Sequence, residues 1–313
     1  MKKQLLIAAV AATMGTAAMA DLSITGAAKV NYVYTESGAS STTTNAINHD
    51  MDLKVKGTNG DTSVVINFGG IQGASGTDDI ATEDVYLATT LGGVTLKTGT
   101  WDNGDNQLRS SSRGTGKVSL GYTMEGVTAT FDDSENGNAT FKLAGSVADV
   151  DVYWKGGTTT DDFGLATTIA GITFDYDAMN SDTADSDRDS LVVSTEMNGI
   201  TLTYAAANAD ASATINGDSF LGDFEGNTGA MNLDAGDDIS GFGAKMALAG
   251  NTVQMKRVTI DEASGSDGGD ITKLVVTRPL ANGTTFEAVW TDMDADTTSE
   301  DKTTLDLELA VKF

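Results

Sequence analysis

His49 is the sole histidine in this 313-residue chain, and cysteine is absent. A metal centre built on imidazole or thiolate ligands therefore has no material, and a Ser-His-Asp triad would have to form around that one ring. No G-x-S-x-G, H-E-x-x-H or phosphate-loop pattern occurs. Two acidic stretches, DTADSDRD at 182–189 and DMDADTTSED at 292–301, begin like calcium loops. Neither has the glycine that the sixth position requires. Counted from Asp185, Glu196 falls twelfth but Ser190 falls sixth. They read as solvated loops. The expectation is a protein without enzymatic activity, cofactor or metal site.

The patterned charges are the lysines. Lys29, Lys54, Lys56, Lys97, Lys117, Lys142, Lys245 and Lys312 each stand on the opposite parity from the apolar residues around them. Lys155, Lys256 and Lys273 do the same, although Tyr153, Val258 and Val275 share their parity. Arg257 and Arg278 fall on the apolar parity, as a strand end or a bulge allows. Lysine or arginine facing lipid at the bilayer midplane costs about 2–4 kcal/mol. A wall with one face in lipid should be cleared of cations on that face and can carry them on the other. The chemistry implied is a charged, water-facing lining.

Positioning such a lining takes strands. Alternation runs through Leu22/Ile24/Ala28/Val30/Tyr32/Tyr34, Met51/Leu53/Val55, Val118/Leu120/Tyr122, Ile172/Phe174/Tyr176 and Ile200/Leu202/Tyr204. It is clearest at the end, where Leu305, Leu307, Leu309, Val311 and Phe313 alternate with Asp306, Glu308, Ala310 and Lys312. One proline and 36 glycines suit a chain of many paired strands and tight turns. Tight turns are expected near Asn59-Gly60, Leu91-Gly92-Gly93, Glu125-Gly126, Ser146 to Asp149, Ala170-Gly171, Asn198-Gly199, Gly250-Asn251 and Ala281-Asn282-Gly283. Longer polar connections are expected at 35–50, 69–83, 100–116, 132–138, 155–161, 179–189, 208–239, 261–270 and 292–303.

Short connections on one rim and long ones on the other mark an outer-membrane barrel. The fold class expected is all-β, a transmembrane antiparallel up-and-down β-barrel of 16 to 18 strands covering 21–313. The connections give eighteen strands, and a barrel of about sixteen or more leaves an aqueous channel. Residues 1–20, with Lys2 and Lys3 ahead of a short apolar run and Ala18-Met19-Ala20 at its end, read as an export signal peptide. No later stretch supplies the roughly twenty apolar residues of a spanning helix. The rival from another class is an acidic, glycine-rich surface or adhesive β protein, against which the alternating strand ending at Phe313 argues.

A formal charge of −26 excludes nucleic acid as a partner. Tyr34, Phe68, Trp101, Phe131, Trp154, Tyr176, Tyr204 and Trp290 stand where strands enter the long connections, as an aromatic girdle does. The expected surroundings are outer-membrane lipid and lipopolysaccharide, with weak divalent bridging from the acidic loops left open.

In its N-terminal DLSITGAAKVNYVY, in units such as LATTIAGITFDYD and in the closing LDLELAVKF, the chain resembles the alphaproteobacterial (Rhodobacter-type) general porins. The resemblance implies a sixteen-stranded, trimeric outer-membrane barrel for passive diffusion of small hydrophilic solutes and ions, with its third long loop folded inward. Carried onto TWDNGDNQLRSSSRG, it places Asp102, Asp105, Arg109 and Arg113 at a constriction, facing Lys29, Lys54, Lys56, Lys97 and Lys117. It also makes Phe313 look like the signal read by the barrel assembly machinery. A substrate-specific channel is the alternative that an eighteen-strand count keeps open.

Overall fold

The computed structural model describes residues 21–38, 42–70, 81–102, 108, 113–135, 137–213, 215, 235–261, 268–295 and 301–313. Eighteen strands follow one another: β1 (Asp21–Ser37), β2 (Thr42–Asn59), β3 (Thr62–Gly69), β4 (Ala81–Leu91), β5 (Val94–Asp102), β6 (Arg113–Met124), β7 (Val127–Asp133), β8 (Thr140–Val147) and β9 (Val150–Gly156); then β10 (Thr160–Ile169), β11 (Ile172–Ser181), β12 (Arg188–Met197), β13 (Ile200–Ala209), β14 (Asp238–Leu248), β15 (Asn251–Asp261), β16 (Gly269–Pro279), β17 (Thr284–Ala295) and β18 (Lys302–Lys312). Each pairs antiparallel with its chain neighbour, and β1 also pairs with β18, so the sheet closes on itself. Closure pairs the first strand with the last and leaves the sheet without an open edge, in a chain that has no disulfides. The count is eighteen, as the connections imply. The sixteen carried by the resemblance is corrected.

All eight tight turns lie where the sequence places them, and most are built from two residues of positive φ. Asn198-Gly199 (φ 54° and 77°) is the ordinary form, and Ala148-Asp149 (φ 50° and 65°) does the same without glycine. This pairing matches the right-handed twist of the strands it joins. Seven of the nine longer connections fall within the expected ranges, trimmed by strand residues at their ends, and that between β7 and β8 runs one residue past its range. The first shrinks to 38–41. Most of 35–50 is strand, since Thr35 pairs with Thr44, Val33 with Ala46 and Asn31 with Asn48. Its polar TTTNAINHD run hides the strand because alternation disappears where both faces meet water.

In-register partners share a face, so parity can be followed around the barrel. Tyr32 lies between Leu307 and Ile47, and Lys29 lies between Ala310 and Asp50. Register slips at only two described places, Asn67/Phe68 and Gly99/Trp101. One face is therefore consistently apolar and exposed, with Ile24, Val118, Leu143, Leu202 and Leu309 on it, and the other encloses a lumen. On the last strand Leu305, Leu307, Leu309 and Phe313 stand on the outer parity, and Asp306 and Glu308 on the inner, as expected.

Candidate functional site

Register places every lysine read as inward on the lumen face, including the three that share parity with apolar residues. Lys142 is opposite Lys155, Lys155 opposite Asp162, and Lys256 opposite Lys273. Of the two arginines of outer parity, Arg278 stands at a strand end as expected, whereas Arg257 lies one residue past the middle of β15 with no register shift beside it. Arg257 pairs at 2.7 Å with Asp270, toward the 262–268 connection, and Arg278 precedes Pro279 at the opposite rim. Lys29 meets Asp50 at 3.6 Å. Lys54 and Lys56 sit on the same inner row of β2, opposite Thr25 and Ser23.

Lys97 and Lys117 form a cluster with two aromatic rings. The Lys97 ammonium lies 4.1 Å from the centre of the Tyr86 ring and 4.4 Å from that of Trp101, and Lys117 lies 4.5 Å from Trp101. Tyr86 and Trp101 meet edge to face at 6.4 Å. Lys117, only 4% exposed, donates to the Trp101 carbonyl at 3.0 Å. Its stem runs over Gly114, where a β-carbon would come within 2.7 Å of Cδ. Cations held over ring faces gain about 0.5–2 kcal/mol as they lose water, which offsets part of their burial. Across the adjoining strands, Asn67 donates to Asp84 at 2.6 Å on the same face.

Trp101 is therefore no part of the outer girdle, and that expectation is corrected. It shares the parity of Lys97 and is 7% exposed, under both ammonium groups. Its place at a strand end suggested the membrane interface, whereas alternation along VTLKTGTW already put it inside. The other girdle residues stand on the outer parity, Phe131, Trp154, Tyr204 and Trp290 among them with their side chains exposed. Asp102 closes β5 in register with Arg113, and one carboxylate oxygen is buried without a hydrogen-bond partner among the described residues. Asp105 and Arg109 lie outside the described residues, and Arg113 is placed only by its strand position.

Farther round, the lumen face turns apolar. Met179, Ala205, Ala207, Ile239, Val258, Ile260, Ile271 and Met293, from β11 and β13 to β17, form one buried cluster toward the long-connection rim. This explains why Val258 shares parity with lysines. Two residues from connections belong to the same cluster. Leu108, 1% exposed, comes from the stretch between β5 and β6, and Ile215, 2% exposed, from that between β13 and β14. Burying a leucine contributes roughly 1.5–3 kcal/mol. Leu108 thus lies against strands on the other side of the barrel from the two that its connection joins. Sequence reading missed it, although it is the only large aliphatic residue between Trp101 and Val118.

Elsewhere the inner face mixes acids with the lysines. Asp306 accepts from Asn31 at 3.3 Å, and Thr277 donates to Glu287 at 2.8 Å. The loop acids do local structural work: Asp187 accepts the Ser181 N–H at 2.7 Å and Asp301 that of Ala295 at 3.1 Å. Such bonds tie down loop backbone, which is what solvated Asp-rich stretches commonly do.

No protein-family model matches this chain, and no curated protein sequence does. Solved structures do. The outer membrane protein OprD from Pseudomonas aeruginosa aligns with a TM-score of 0.64 at 13% identity, covering 94% of this chain and 94% of that one. OpdL and the outer membrane protein OpdK, from the same organism, give 0.69 at 8% and 0.70 at 10% identity, with 94% of this chain aligned to 99% and 98% of theirs. At such identities the likeness is one of fold. It does not single out the Rhodobacter-type general porins. What the chain shares across nearly its whole described length is the closed β-barrel of outer-membrane proteins.

Proposed function

We propose that this protein is an outer-membrane channel for small hydrophilic solutes, and that its passage selects by charge and shape rather than by size alone. The observation that carries this is the burial of Leu108 against the apolar wall of β13 to β17. Leu108 stands across the lumen from Asp102 and Arg113, the strand ends on either side of it in the chain. The open cross-section then lies beside the lysine, aspartate and aromatic groups, where field lines are focused by low-dielectric walls. The long connections face outward from the cell and the tight turns face the periplasm.

A purely general porin is the second reading, favoured by the plain diversity of charges on the wall. Liposome swelling separates the two. A selective channel admits small charged solutes faster than neutral sugars of equal size, and its flux saturates. Swelling rates that follow solute size alone return the protein to the general class, and no swelling removes the channel reading. The trimer, the lipopolysaccharide contacts and the assembly machinery belong to the same proposal.

A further inference from the structure

A recess of about 340 Å³ opens in the lumen wall across β8 to β11, apart from the Trp101 cluster. Its floor is low because Ala144, Gly164 and Ala166 supply little or no side chain. Tyr153 lies flat across the glycine: a β-carbon on Gly164 would fall 2.0 Å from the ring's Cε1. The hydroxyl reaches past β10 to donate to Asp177 at 2.5 Å. Glycine below and a hydrogen bond at its far end fix the ring, and the Lys142 ammonium lies over its other face.

Charges flank that ring in an order that does not neutralise itself. On the long-connection side, the Lys142 ammonium sits 4.4 Å from the ring centre. On the tight-turn side lie Asp175 and Asp151, the latter accepting from the Ser146 hydroxyl. Like charges adjoin: Lys142 is in register with Lys155, and Asp175 is two residues from Asp177 on one face. Opposed like charges cost stability in a sheet. Lys155 finds Asp162 at 3.7 Å, but among the described residues Lys142 and Asp175 have no ion-pair partner. Local rules broken without local compensation are characteristic of functional sites.

We propose that this recess binds short zwitterions whose ammonium and carboxylate are separated by a few methylenes. The solute's carboxylate meets Lys142 above the Tyr153 ring, its ammonium meets Asp175 and Asp151, and its methylenes pass from the edge of that ring over Ala166. The backbone rows of Lys142 and Asp175 are four residues apart, about 13 Å along the strand. The Lys142 side chain shortens this by reaching to the Tyr153 ring, whose row is two residues from that of Asp175, which leaves a gap that a linear amino acid bridges and a single ion does not. This rests on the channel reading for its meaning in transport, but binding can be read without it.

The test uses 4-aminobutyrate with its half-analogues butyrate and butylammonium. Saturation-transfer NMR on the detergent-folded barrel should show 4-aminobutyrate bound and both half-analogues much weaker. Lys142→Gln and Asp175→Asn should each weaken binding about tenfold, as loss of a charge-assisted hydrogen bond implies. In a planar bilayer the same solute should interrupt single-channel current in the unaltered protein and far less in either variant. Equal binding of butyrate or butylammonium overturns the proposal, as does full binding by a variant that retains heat-modifiable mobility. Absence of conductance with binding intact refutes the channel and leaves the recess standing, whereas conductance without binding does the reverse.

Discussion

Gly26 and Phe313 exchange two backbone hydrogen bonds, 2.8 Å from the glycine N–H and 3.0 Å from the phenylalanine N–H, at the seam where β1 meets β18. The terminal ring covers the glycine. A β-carbon at residue 26 would fall 2.6 Å from the ring's Cζ and 2.7 Å from the Asp52 carbonyl oxygen. Closing the sheet therefore brings the last residue of the chain onto a position without a side chain.

Gly26→Val should lower the yield of closed barrel more than Gly26→Ala, because alanine's β-carbon already meets both the ring and the Asp52 carbonyl and two further methyl groups need still more room. Deleting Phe313 removes the two seam bonds and should lower assembled protein in the outer membrane while export across the inner membrane continues. Heat-modifiable mobility and membrane fractionation read both effects. Unaltered assembly in the deletion strain counts against any role for the terminal residue.

The last strand supports a paired comparison. Leu307→Arg places a cation on the lipid face, and at mid-bilayer this costs about 2–4 kcal/mol. Glu308→Gln changes a lumen group in register with Glu287 and Asn31 and should be mild. Folding into lipid vesicles, followed by denaturant titration, distinguishes them. Equal effects would mean that the register is wrong by one residue.

Removing the apolar end of Leu108 should widen the passage. Core leucine to alanine changes cost about 2–5 kcal/mol where the site does not collapse, enough to free a single anchored loop while the barrel itself stays closed. Leu108→Asn is expected to raise single-channel conductance with mobility before and after boiling unchanged. A conductance identical to that of the unaltered protein would show that the leucine does not hold the loop across the lumen.

Ion preference tests the balance of the wall against the mouth. Lumen lysines alternate with Asp50, Asp84, Asp175, Glu287 and Asp306, whereas most other acids lie on the long connections or on the strand ends that adjoin them. Carboxylates around a mouth enrich cations, and screening over a Debye length of about 10 Å at 0.1 M weakens this as salt rises. A weak cation preference that fades with salt is expected from reversal potentials. Lys97→Gln should strengthen it. Anion preference at low salt would show instead that the lysines at the narrowest point control permeation.

Alternation along single strands determined most of the architecture. It assigned the inward lysines, the lipid-facing leucines of β18 and the turns, because a strand's two faces meet different solvents and each residue's parity records which. It was silent where that contrast fails. The Thr42–Asp50 half of β2 was hidden because both faces there meet water, and the inward side of β13 to β17 is apolar because loop residues cover it. Trp101 was legible by parity and misassigned by position. Only the closed tertiary structure decided which residues from distant strands meet. Leu108 reaches the cluster on β13 to β17, Tyr153 spans Gly164 to Asp177, and Phe313 covers Gly26, because barrel closure and side-chain packing bring together groups that no local periodicity relates.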